Sequence, residues 1–538
     1  MLSHTMLIKT GRMFKTGRMS TLLLLTSALA LVAAPAFAQM GGGGMGGGMG
    51  GGGGGGMGGG GRGGGHKRSQ SQSQTPTAPV QNAMHAPATV PVSMRLTGKV
   101  IISGGTKALA HMAVAATVPD LSALYAERNA QVSLDTVDLS GAGDVSLLSD
   151  GRNSGLDSAL LVGSQAAVTV TGGHISTTGK GANAAFVSDA GSKLSLKDVA
   201  LATHASDAFG VEATAGGSVA GDGLTITTTA DRSTALAVQS PDSRATLTGG
   251  HFSTQGSAAN AFFVAGALDA SGVTADTAMG DGLTADAARN VTLTDTSLNA
   301  GGNGAMLYAG DAPERGGGAA GPGAGGGHGG HHGGDHDGQG GTSGGAGMSG
   351  PAAPAVHTTD ALPLADDAPL RRTAFAMTGG TLKAHRAAFY VTNLHAEITL
   401  DHVALQSDSG VLVRSVADQW GPLGRNGGEV HLVTHHQALT GDFATDVVSS
   451  IALSLNDQSV LTGATTPNVD VDMDASSQWV LTGDTNVGKL VDAAIVGDSV
   501  PNITGNGHTL TYDHRHNPQL ANKTYALAGG GQLVPGGL

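Results

Sequence analysis

Short runs of alternating apolar and polar residues recur along most of this chain. The clearest copies are Val168-Thr-Val-Thr-Gly-Gly-His174-Ile175-Ser-Thr-Thr and Ala245-Thr-Leu-Thr-Gly-Gly-His251-Phe252-Ser-Thr-Gln, with a third at Phe375-Ala-Met-Thr-Gly-Gly-Thr381-Leu382-Lys. Each leads, after a variable turn, into a small-plus-apolar segment: Ala184-Ala185-Phe186-Val187, Ala261-Phe262-Phe263-Val264 and Ala387-Ala388-Phe389-Tyr390-Val391. Weaker copies fill the gaps, starting near residues 167, 192, 218, 243, 267 and 289. The alternation predicts short strands with Val168 and Val170, or Leu194 and Leu196, on one face and Thr and Ser on the other. The Gly-Gly or Asp-Val step turns the chain into the next strand.

A period of about 22 to 26 residues is that of a solenoid. One coil cannot bury its inner face alone, so stacked coils share a continuous core. A β-sandwich has no reason to repeat at a fixed period. The Leu/Asn signature of leucine-rich repeats and the Ca²⁺-binding nonapeptide array are both absent from the sequence. The expected fold is therefore all-β, a right-handed parallel β-helix.

Composition points the same way. Charged residues make up 13 % of the chain, against about 25 % in an ordinary domain. Of the acidic residues only Glu127, Glu212, Glu314, Glu397 and Glu429 are glutamate. Aspartate favours turns and glutamate helices, so helix is expected to be minor. The formal charge of −13 excludes a nucleic-acid partner, whose phosphates need a basic footprint. With no cysteine there is no disulfide, thiol nucleophile or thiolate metal site.

Residues 1–38 read as a secretory signal: Lys9, Arg12, Lys15 and Arg18, then an apolar Thr21 to Ala33, then Ala36-Phe37-Ala38 before a cut at Gln39. The apolar run is short for about 30 Å of hydrocarbon, so the mature chain is expected to be soluble or surface-associated and not transmembrane. Residues 39–94, Gly/Met-rich and then Ser/Gln/Pro-rich, read as a disordered tether. Residues 95–310 and 370–515 carry the two parts of the β-helix. Between them, 311–369 reads as a disordered Gly/His/Pro-rich loop thrown out from one coil, and 516–538 as a cap and tail.

The Thr-Gly-Gly-x-h-x-Thr units, and Ser477-Gln-Trp479-Val480-Leu481-Thr482-Gly483 near the end, resemble autotransporter passenger domains and other pectin-lyase-like β-helix proteins. The resemblance implies a β-helix whose last coils are closed by an aromatic residue. No run of alternating barrel strands follows, so self-translocation is not expected unless a separate chain supplies the barrel.

Candidate chemistry is sparse. His328, His331, His332, Asp335, His336 and Asp337 could collect Zn²⁺, Ni²⁺ or Cu²⁺, although a Gly-flanked loop supplies no fixed geometry. In Val469-Asp470-Val471-Asp472-Met473-Asp474, strand alternation puts three aspartates on one face, neighbours about 7 Å apart. That spacing is near the lower end of what inverting glycosidases use, but a solvated outer face explains it too. His431 and His435 share a strand face beside His436, and His174 and His251 are repeat equivalents; all read as surface histidines. There is no Gly-x-Ser-x-Gly elbow, phosphate-cradling loop or His-Glu-x-x-His. No catalytic residue and no cofactor is assigned.

The sequence thus points first to an exported, non-enzymatic, adhesin-like scaffold. Its partners would be a host or matrix surface, a polysaccharide or a separate outer-membrane translocator. A polysaccharide lyase or hydrolase is the rival reading, and a periplasmic metal-binding protein the third.

Overall fold

A computed structural model describes residues 95–310 and 371–537. The signal, the tether and the loop at 311–369, with its histidines, lie outside the described residues. What is described is an all-β parallel solenoid of about 15 turns, wound in the right-handed sense. Strand partners confirm the repeat. Ala167, Lys193, Ser218, Arg244, Ala267 and Asn290 stand in one ladder, at steps of 26, 25, 26, 23 and 23 residues.

One coil shows the plan. The long strand Ser218–Thr228 bends in its middle and makes two faces, and the short strand Leu236–Val238 makes the third. Inward-pointing Val219, Leu224, Ile226, Leu236 and Val238 stack on Ala245, Phe252, Phe262 and Val264 of the next coil, all at most 3 % exposed. Each such side chain contributes roughly 1.5–3 kcal/mol by leaving water. Stacking matters because only a neighbouring coil can cover it. The inward positions expected from the alternation, Val168, Val170, Leu194 and Leu196, are all buried.

At the end of the long strand an inward threonine recurs: Thr177, Thr203, Thr228 and Thr254 are buried. Each hydroxyl donates to the carbonyl five residues on, at 2.5 to 3.0 Å. A hydroxyl left unpaired there would cost 1–3 kcal/mol or so. The bond also fixes the turn that follows.

The bend is a column of left-handed residues, one per coil: His111, Thr136, Gly172, Asp198, Gly223, Gly249, Gly272, Asp295, Gly379, His402, His436 and Asp457. The Gly-Gly and Asp-Val steps of the sequence therefore have one cause, a backbone that must take positive φ at the corner.

The two parts of the solenoid are successive coils. Val291 pairs with Phe375 and Leu307 with Val391, so the described residues on either side of 311–370 lie in adjacent coils. At the C-terminal end Trp479 is fully buried, and its Nε1–H donates to the Gly463 carbonyl at 3.0 Å. Strand pairing continues to Gly536. Tyr525–Ala528 and Gln532–Gly536 pair antiparallel and close that end of the ladder.

Helix is minor, as expected: among the described residues the one α-helix is Leu148–Ser154. It lies beside the third face, where even outward positions are buried. Tyr125, Leu161 and Phe186 form one cluster there, and Phe209, Ala237 and Phe263 another, both separate from the main core.

Candidate functional site

The aspartate run is only partly a free face. In Val469–Met473 the valines and Met473 are buried, while Asp470 and Asp472 are exposed. Asp474 has left the strand face and caps the corner. Its carboxylate accepts from the N–H groups of Asp457, Ser476 and Ser477 at 2.8, 2.9 and 2.8 Å, and from the Ser476 hydroxyl at 2.8 Å. Burial pushes its carboxyl up, but these donors outweigh it and hold it down at about 2. Three equivalent carboxylates on one face are not present. One is structural.

Asp470 opens onto a cleft of about 710 Å³ across five coils, lined also by Glu429, Lys489, Arg515 and His516. Its Oδ1 accepts from the Lys489 N–H at 2.7 Å, so it ties one coil to the next. Arg515 is held by Asp513, donating from Nε at 3.0 Å and from Nη2 at 2.8 Å. His516 lies 3.2 Å from the same carboxylate. Acid and base thus meet on one outer face.

His431 and His435 share the outer face of Glu429–His435, as the alternation predicts, and His435 Nδ1 lies 2.7 Å from Asp457. His174 and His251 are exposed and occupy one ladder position, three coils apart with Ala200 and Thr225 between them. The six residues from His328 to Asp337 lie outside the described residues.

A buried charge cluster on the third face was not foreseen. Asp207, 2 % exposed, binds Arg232 through Nε and Nη2 at 2.8 and 2.7 Å and Arg152 at 2.6 Å. Burial pushes the Asp207 carboxyl up, yet the hydrogen bonds from Arg232 and the charge of Arg152 bring it below its usual range. Glu212 beside it is fully buried and accepts from Asn183 Nδ2 at 2.7 Å, while its Oε1 has no partner. Burial raises its carboxyl well above the usual range. The sequence carried a signal for this. Glu212 is one of the few glutamates and stands in register with Phe186 and Ala237, where a charge is out of place.

The chain matches no protein-family model and no curated protein.

Proposed function

We propose that this chain is an exported, non-enzymatic β-helix scaffold of adhesin-like type, acting at the cell surface or outside it. The observation that supports it best is the solenoid itself. About 15 coils stack in register, and their outer positions on the long faces form exposed rows such as Asp222 and Thr248, or Thr225 and His251. Many weak contacts to a matrix or host surface, or to a polysaccharide, add up along such a rod. The export signal supplies the compartment, and a separate translocator is the expected partner for surface display. N-terminal sequencing of the exported form should begin at Gln39, and deleting the gene should reduce attachment to a matrix surface. Retention in the cytoplasm, or unchanged attachment, would refute the reading.

The cleft at Asp470 favours one second reading, action on an acidic polysaccharide. Lys489, Arg515 and His516 could hold the sugar carboxylates there, with Asp470 or Glu429 as the acid. Release of unsaturated or reducing ends from pectate or alginate, with and without Ca²⁺ and with neutral xylan as the control, tests it. Activity that disappears in Asp470→Asn would replace the scaffold by an enzyme.

A further inference from the structure

At one corner of the solenoid, two successive coils place histidine in the left-handed column, His402 with φ 55° and His436 with φ 48°. Glycine or aspartate fills this corner in most of the other coils, with His111 and Thr136 in the first two described coils. Both imidazoles turn toward one carboxylate. Asp401 Oδ1 lies 2.6 Å from His402 Nδ1 and 3.4 Å from His436 Nδ1. One ligating atom from each of the three residues can be chosen so that all lie within 4.8 Å of one another. Burial pushes the Asp401 carboxyl up, and contacts with His402 and His436 outweigh that and hold it low.

We propose that Asp401, His402 and His436 form a binding site for a borderline divalent transition ion of the Zn²⁺ class, bridging two coils. Two imidazoles and a carboxylate are a known donor set for such ions, with water in the fourth position. Donors around a tetrahedral Zn²⁺ sit roughly 3.3 Å apart, given Zn–N and Zn–O bonds of about 2.0–2.2 Å. The Asp401–His436 separation already matches. The Asp401–His402 contact must open by under about 1 Å on the same bond lengths.

The two rings now stack, with centroids 4.8 Å apart and planes at 23°. An ion lies near the plane of each imidazole, so binding turns one ring about its χ2. Both have room, with side chains 65 % and 49 % exposed.

The backbone beneath is fixed, which spares the ion the work of ordering it. Buried Gln437 clamps the residues that follow both histidines. Its Oε1 accepts from Val403 N–H at 2.9 Å, and its Nε2 donates to the carbonyls of Val403 and Ala438 at 2.7 and 2.8 Å. His436 N–H also donates to the Asp457 carbonyl at 3.1 Å. The neighbouring His435 is engaged with Asp457 and belongs to the surround.

The test uses the full exported chain with His328, His331, His332 and His336 changed to alanine, which removes the tag-like competitor. Co²⁺ is titrated in and its visible spectrum recorded. One equivalent should give the intense bands of a four-coordinate ion, and Zn²⁺ should displace it. His402→Asn and His436→Asn keep a residue that tolerates positive φ but remove the ligand, and each should abolish the bands. His435→Asn should retain them. Because the two variants lie on different coils, a folding defect in one, checked by circular dichroism, leaves the other readable. Absence of four-coordinate bands in the parent, or bands unchanged in folded His402→Asn and His436→Asn, overturns the site.

Discussion

Gly249 and Gly250 are neighbours in one motif, yet the structure gives them different work. Gly249 has φ 61°, and a Cβ built there meets nothing within 4 Å. Gly250 has φ 114°, and its Cβ would stand 2.6 Å from the Leu224 carbonyl oxygen of the adjacent coil. For Gly249→Ala the cost is the left-handed backbone alone, about 1–2 kcal/mol, offset by 0.4–1 kcal/mol or so from a stiffer unfolded chain. The expected loss is near ~1 kcal/mol, and Gly249→Asn should lose less. Gly250→Ala adds a backbone overlap that only separating two coils can relieve. Strain and overpacking at about 1–3 kcal/mol each give a loss of about 2–6 kcal/mol. Since a solenoid's stability is local, the assay is urea denaturation by circular dichroism together with hydrogen exchange over 218–264. Exchange in Gly250→Ala should quicken in both the 218–228 and 244–254 strands. Equal, mild losses at both positions would refute the reasoning. They would mean that the second residue relaxes to the bend other coils use, where Val199 and Val273 take the inward position.

Burial pushes the Asp157 carboxyl up to about 7, against the opposing pull of the backbone N–H groups of Asp120 and Leu121. The folded chain then holds a proton that the unfolded chain releases near pH 4, so stability falls as pH rises from about 4 to 7. At 1.36 kcal/mol per unit the loss approaches ~4 kcal/mol. Asp157→Asn should flatten that slope in denaturation midpoints measured from pH 4 to 8; an unchanged slope would place the titration elsewhere. Asp207→Asn leaves Arg152 without its carboxylate in a buried setting, and a loss near the lower end of ~3–5 kcal/mol is expected in urea melts. Among the aspartates of the run, Asp474→Ala should cost about 1 kcal/mol as a lost cap, while Asp472→Asn should change the melting temperature little. Equal effects at the two would contradict the corner geometry.

Fold class, period and inward positions are legible in the amino-acid sequence alone. Period-two alternation and a left-handed corner are local properties, written in each copy as Val-Thr-Val or Gly-Gly, so they can be read one copy at a time. What the sequence did not carry was adjacency between coils. Asp401 and His435 are ladder partners 34 residues apart, against 23 to 26 in the repeats that could be aligned by eye. The extra residues lie in the turn between Ser415 and Glu429, and no sequence pattern says how many of them leave the ladder. The meeting of Asp401, His402 and His436, the diversion of Asp474 into the corner and the burial of Asp207 between two arginines follow from that register. Register is settled by the summed packing of whole coils, so only the tertiary structure decides which side chains become neighbours.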